Sequence, residues 1–320
     1  MATLTASALS VVSSTPGIHI KDNFAAVIAA GLDDVFKRES AIPAEGMHFF
    51  RNKPMKKATN VFQSHYGLGT VGQNEDTETL PVDEKGLGFQ WTLSVNTYRG
   101  AIRIAKDLQE DELYGNISDL QSEHVGAEKT SKELVLADLF NRALGTSGAP
   151  ILCEDGMYFL DSARPFAYTA AGTWSNLETA SAITPASVFQ AQLNFKASLN
   201  DRGYLSPRKL TKAIVRDQDE DTMFEITKSD LRPTDAMNAK NFQYGRFEYS
   251  TYSYLTSALI IYMSGDPKSA ANELYFGDRI SPELATWKDG SNPDITWQRI
   301  RSRFGIGCGK PIFWRGGTVS

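Results

Sequence analysis

Apolar residues recur at helical spacing over Phe24, Val27, Ile28, Leu32, Val35 and Phe36, behind Asp22 as a capping residue. Lys37 and Arg38 follow in what would be the last turn, where the helix dipole favours cations. Residues 1–20 are small and polar, and the expectation there is a flexible arm. Between 40 and 57 the pattern is irregular, with Pro43, Pro54 and a basic cluster of Lys53, Lys56 and Lys57. The period then changes to two. Phe89, Trp91, Leu93 and Val95 alternate with Gln90, Thr92, Ser94 and Asn96, which predicts the return arm of a long hairpin. Its first arm covers about residues 61–73 and its tip is polar and acidic. A two-stranded ribbon is marginal alone in water, so its apolar face must lie on its own domain or on a neighbouring subunit.

A second long element comes next. Asp107, Leu108, Asp111 and Glu112 precede a seam of Leu113, Ile117, Leu120, Ala127 and Leu134, continued by Leu136, Leu139, Phe140 and Leu144, with Gly145 as the stop. One helix of about 32 residues would span about 48 Å. Gly115 and Gly126 are candidate bends, and two helices broken near Gly126 are the alternative. The second half mixes periods. Residues 155–166 predict a turn, a short strand and a loop. Thr184 and Pro185 open a helix through Val188, Phe189, Leu193, Phe195 and Leu199, ending at Gly203. Leu210 to Val215 predicts a strand, 217–229 a helix, and 247–255 and 258–263 two strands with a short connection. In 295–308, Ile300, Ser302, Phe304 and Ile306 alternate with Arg299, Arg301 and Arg303.

Composition adds bounds rather than identity. The chain has 320 residues, 41% hydrophobic and 22% charged, as an ordinary globular protein does. A net charge of −5 argues against a broadly basic, nucleic-acid-wrapping surface. Cys153 and Cys308 allow at most one bridge, so the expectation is small buried thiols and a reduced, intracellular life. The first residues lack the basic start of a secretory signal, and no apolar run is long enough to cross a membrane as a helix.

Candidate chemistry is sparse against this background. Gly67, Gly69 and Gly72 spell G-x-G-x-x-G, the phosphate-cradling pattern, which needs a strand before it and a helix after it. The segment after Gly72 instead holds Pro81 and the acids Glu75, Asp76, Glu78, Asp83 and Glu84, so the glycines predict bends in the hairpin. Four histidines, His19, His48, His65 and His124, stand apart from one another. DQDED at 217–221 imitates a calcium loop, but Thr222 and Lys228 replace its glycine and glutamate, so a solvated helix face is expected. GIGCGKP is not a P-loop, and no G-x-S-x-G elbow occurs. No catalytic, cofactor or metal site is expected. The arginine row has three readings: side chains in water, contacts to a partner's carboxylates such as the acidic tip, or contacts to DNA.

Four blocks carry a resemblance. TYRGAIRIAKDLQEDELYGNISDL, CEDGMYFLDSARPF, LSPRKLTKAIV with FEYSTYSYLTSALIIYM, and IRSRFGIGCGKP occur in this order. Together they resemble the major capsid protein of tailed phages, the HK97 fold, and among these the Mu-like major head subunits. The second block resembles that group's D-G-x-x-F-F-D/S-x-x-H-P, with Asp155, Gly156, Phe159, Asp161 and Pro165 matching and Arg164 where the family often has His. The resemblance covers roughly residues 60–310. It implies an α+β, HK97-like fold: an N-terminal arm (1–60), an extended hairpin (61–106), a peripheral domain with a spine helix (107–145 and 246–320), and a mixed α/β axial domain (146–245).

The resemblance further implies a non-enzymatic subunit that self-assembles, as pentamers and hexamers, into an icosahedral shell around double-stranded DNA. The expected place is the virion, after assembly in the host cytoplasm. The partners it implies are further copies, a separate scaffold protein, a portal protein and a decoration protein, with no membrane. Some family members cross-link covalently; here non-covalent closure is expected. A nanocompartment shell, a tail or connector protein and a nucleotide-binding enzyme are the alternatives. Inter-subunit contacts are expected at Glu75, Asp76, Glu78, Asp83, Glu84, Phe89, Trp91, Arg299, Arg301 and Arg303.

Overall fold

The computed structural model describes residues 33–71, 82–107, 115–145, 151–168, 172–179, 182–231, 240–269, 272–292 and 294–318. They form two compact units. The first comprises residues up to Ala44, Thr97–Lys132 and Ile280–Arg303, and the second Glu45–Asn96, Glu133–Arg279 and Phe304–Ser320.

In the first unit the N-terminal helix is seen from residue 33 to residue 40; the start expected at Asp22 lies outside the described residues. Strand β4 (Asn96–Ala105) neighbours β11 (Ile295–Cys308), which neighbours β10 (Leu274–Lys288). Phe36, Val125 and Ile300 pack together there, with Leu284 against them. The β11 alternation agrees with the sequence: Ile300, Ser302 and Phe304 are buried, while Arg299, Arg301 and Arg303 are half-buried. The strand β10 was not expected. Pro282 sits inside its 15 residues, and a proline demotes a run that would otherwise be assigned as a central strand.

The long helix, α1 (Gly115–Asn141, 27 residues), is continuous through Gly126 and about 40 Å long. Gly145 comes after it at φ 69°, the left-handed stop expected of it. The seam needs correction. Leu134 and Ala127 face solvent, and Leu113 lies outside the described residues. The buried stripe is Gln121, His124 and Val125, then Glu133, Leu136, Ala137, Leu139 and Phe140. Leu136, Leu139 and Phe140 of the expected seam are thus buried, but before them polar side chains hold inward places and the periodicity, through Ala127 and Leu134, points at the wrong face.

Within the second unit, β7 (Leu210–Val215) lies between β8 (Glu248–Thr251), parallel to it, and β9 (Leu259–Ser264), antiparallel; β12 (Trp314–Thr318) pairs with β9. The strands expected at 247–255 and 258–263 are thus β8 and β9, in one sheet with 210–215, and the strand at 314–318 was not expected. β8 and β9 do not pair with each other, despite their short connection. All six residues of β9 are buried, as a central strand requires.

Helix α2 (Pro185–Lys196) begins with the expected cap: Ser187 N–H donates to Thr184 Oγ1, Thr184 N–H to Ser187 Oγ, and Pro185 fills the first turn. Its Val188, Ala191 and Phe195 meet Leu210, Ala213, Val215, Ile260 and Tyr262, together with Met223 and Ile226 of α3 (Glu220–Lys228). DQDED opens α3, with Arg216 paired to Asp219 at 2.8 Å, so the acids serve a helix start.

A second apolar centre packs Phe140 among Phe49, Phe50, Phe159 and Trp314, edge-on to Phe49 and Phe159 and tilted against the other two. Glu133 is buried beside it. The Tyr252 hydroxyl donates to Glu133 at 2.8 Å, as do the N–H groups of Glu45 and Gly46, so the carboxylate anchors the turn Glu45–Phe49. Burial and this carboxylate push the Tyr252 phenol well up.

Candidate functional site

The hairpin is built as the alternation predicts. β2 (Thr59–Tyr66) pairs antiparallel with β3 (Gly86–Ser94), Phe62 opposite Trp91 and Asn60 opposite Leu93, with an irregularity between Gln63 and His65. On the inner face Phe62 stacks on Trp91 at 4.7 Å and on Tyr275 at 5.3 Å, and Met55, Leu93 and Val95 are buried with them. Gly305 and Gly307 of β11 lie directly beneath: a Cβ on Gly305 would strike the Ser94 carbonyl, and one on Gly307 the Trp91 ring. GIGCG is therefore a docking floor for the root of the ribbon. Trp91 is thus packed within its own unit, and Phe89 is half-buried.

The other face is different in kind. Val61, Gln63, His65, Leu87, Gln90 and Thr92 point outward, and the ribbon's far end adds Leu68, Val71 at 100% exposure and Val82 at 85%. Burying one such side chain is worth about 1.5–3 kcal/mol, so this outer face gains from a surface laid on it. Gly67 and Gly69 stand in the loop after β2, and the chain returns as an antiparallel partner, not as a βαβ unit.

Of the acids assigned to the tip, Glu75, Asp76 and Glu78 lie outside the described residues. Asp83 takes an ion pair from Arg202 at 2.7 Å, and the carbonyls of Glu84 and Gly67 accept from the same guanidinium. That guanidinium also lies over the Tyr66 and Tyr168 rings, at 5.1 and 4.6 Å. Arg202 clamps the ribbon to its own unit.

In the first unit the arginine row also finds partners along its own sheet. Arg301 pairs with Glu283 at 2.9 Å, and Arg299 lies over the Trp287 ring at 5.6 Å. Trp287 stacks on Trp297, whose Nε1 donates to Asp289 at 2.9 Å and whose ring carries Arg103. No separate anion is needed to explain Arg301.

The DG block is a buried knot. Gly156 turns at φ 76°, Phe159 is fully buried, and Arg164 pairs with Asp155 at 2.8 Å while donating to the Tyr158 and Phe159 carbonyls. Burial lowers the Arg164 pKa, and Asp155 opposes that. The cysteine expectation is corrected here: Cys153 and Cys308 form a disulfide, with Cα atoms 4.6 Å apart. A separation of 155 residues hides that adjacency from any spacing argument.

Around the disulfide sits a charged group that sequence inspection missed. Burial, reinforced by the Glu273 charge, pushes the Glu154 carboxyl up to about 7. Burial brings the Lys310 amine down to about 8, against the pull of Glu154 and Asp155. Lys310 Nζ is paired with Asp201. The one signal in the sequence was a lysine just past a glycine-rich buried strand.

Among the described residues no group of three His, Cys, Asp or Glu side chains is placed to hold a metal ion. No helix among them is long and apolar enough to cross a membrane.

No family model matches the chain, and no curated protein matches it. Solved structures do. A chain from Mycobacterium phage Patience aligns with TM-score 0.54 at 10% identity, over 92% of this chain and 88% of that one. A chain in the asymmetric unit of the bacteriophage PhiM1 mature capsid gives 0.56 at 6%, over 87% and 88%. The capsid of Cyanophage P-SCSP1u gives 0.54 at 9%, over 85% and 86%. At such identities the likeness is one of fold. The chain has the α+β, HK97-like fold expected from its sequence.

Proposed function

We propose that this chain is the major head subunit of a tailed phage, a non-enzymatic protein whose copies build an icosahedral shell around double-stranded DNA. The observation that supports it best is the fold likeness to chains of two phage capsids, over 85–88% of both partners. The hairpin agrees with it: one face is committed to its own unit, and the other is turned to solvent with Val61 and Leu87 exposed among polar side chains. In this reading the outer face and the acids Glu75, Asp76 and Glu78 lie on a neighbouring copy, and Arg299, Arg301 and Arg303 exchange their intrachain partners for a neighbour's groups on assembly. Phe89, Trp91, Asp83 and Glu84 then support the contact from within. Pentamers and hexamers, a scaffold, a portal and a decoration protein are the partners the reading implies. Its place is the virion, after assembly in the host cytoplasm.

Negative-stain microscopy of the purified chain, alone and co-expressed with a scaffold protein from the same phage, tests the reading. Uniform closed particles are expected. Rings or tubes alone, or a monomer under every condition, would sink it. An enzyme packed inside the particles in place of DNA would mark a nanocompartment instead.

A further inference from the structure

Three side chains far apart in sequence meet beside the disulfide. Asp201 sits in a turn that Asn200 holds: its Oδ1 accepts from Arg202 N–H at 3.0 Å and Tyr204 N–H at 2.9 Å, and Gly203 lies between them at φ 80°. Lys310 is held from the other side. Its N–H donates to Glu273 Oε2 at 2.7 Å, and the preceding Gly309 N–H to the Glu273 carbonyl at 2.8 Å. The Lys310 Nζ lies directly against Asp201 Oδ1, and both side chains are about four-fifths buried. Glu154 completes the group. Its N–H reaches the Gly309 carbonyl, its side chain is 7% exposed, and its Oε2 is without a hydrogen-bond partner among the described residues.

An ion pair is a costly occupant of such a place, because both partners give up their hydration. An amide carries no charge and keeps the same atoms in contact. We infer that Lys310 Nζ and Asp201 Cγ condense to an intrachain isopeptide bond, with Glu154 carrying the proton. In that step the neutral amine attacks the carbon of the protonated Asp201 carboxyl and the N–C bond forms. One amine proton passes to the Glu154 carboxylate and from there to the departing hydroxyl. The C–O bond breaks and one water leaves. Glu154 ends as it began, and no oxidant or other co-reactant is consumed.

Fixed, dry contact replaces the activation that such a condensation needs in water, where well-oriented neighbours reach effective concentrations of about 10⁵–10⁸ M. The protonation states also suit it. Burial moves both groups toward their neutral forms, the Lys310 amine down and the Glu154 carboxyl up, which is the direction the step needs, while the paired Asp201 carboxylate pulls the amine the other way until the bond forms. Asp155 and Glu273 are the other acids facing this pair, with Arg164 bound to Asp155 and Arg51 near Glu273. The bond would tie the turn after α2 to the segment after β11 within one subunit. It leaves closure between subunits non-covalent and does not depend on the capsid reading.

Intact mass spectrometry of the full-length chain, denatured and with the disulfide reduced, tests it. The chain is expected to be lighter than its sequence by one water. Proteolysis should give one branched peptide joining the Asp201 and Lys310 segments. Lys310→Arg and Asp201→Ala should return the mass to that of the sequence. Asp201→Asn should shed one ammonia instead of one water. Glu154→Gln, checked for folding by circular dichroism, should keep the uncondensed mass. A folded wild-type chain at full sequence mass overturns the bond, as does a water loss that survives Lys310→Arg. A Glu154→Gln chain that still condenses overturns the part given to Glu154.

Discussion

Glu154 shows how burial sets a residue's behaviour. Its carboxyl is raised from 4.5 to about 7, so the folded chain holds a proton that the unfolded chain releases between those values. Its contribution to stability is fully present below about pH 4.5 and is lost as pH rises through about 7. The expected loss is up to about 3 kcal/mol. Thermal melts across this range should show the decline in the wild type and a flatter profile in Glu154→Gln; equal slopes would contradict it. Phe140 is a second test at this scale. It is fully buried among Phe49, Phe50, Phe159 and Trp314. Phe140→Ala should cost about 3–5 kcal/mol in denaturant unfolding, and a loss under about 1 kcal/mol would show that the ring is not central. Little of this was legible in sequence. Lys310, Asp201, Glu154 and the two cysteines are scattered over the chain, and only tertiary structure brings them together.

Elements were more legible than residues, wherever local rules decide them. The capping box of α2, the alternating face of β3 and the stop at Gly145 all depend on neighbours a few residues away. The misread helix face has one cause: a polar residue with a tertiary partner. Glu133 takes a helix position inside the core because Tyr252 and two backbone N–H groups satisfy it. The order of β8, β7 and β9 is likewise set by which strand is buried on both faces, not by loop length. The hairpin carries the prediction at this scale. The inner face and the Arg202 clamp end before the tip, so replacing residues 74–81 with a short Gly-Ser turn should leave the melting temperature of the isolated subunit within about 2 °C and impair particle formation. A larger drop in the subunit itself would show that the tip packs at home.

At the scale of the molecule, the sequence carried the fold through the order of its blocks, each soft alone. The floor under the ribbon was hidden, because glycines at 305 and 307 acquire their meaning only from Trp91 and Ser94 above them. That floor divides the hairpin's two faces between two tasks. The inner face belongs to the subunit, and in the proposed reading the outer face is kept for a second copy. A cryo-EM map of assembled particles tests this most directly. The account predicts that Val61, Leu87 and Thr92 lie buried against a neighbouring copy while Phe62 and Trp91 keep their stack on Tyr275. Particles in which that outer face stays open to solvent, or a chain that forms no particles, would contradict it.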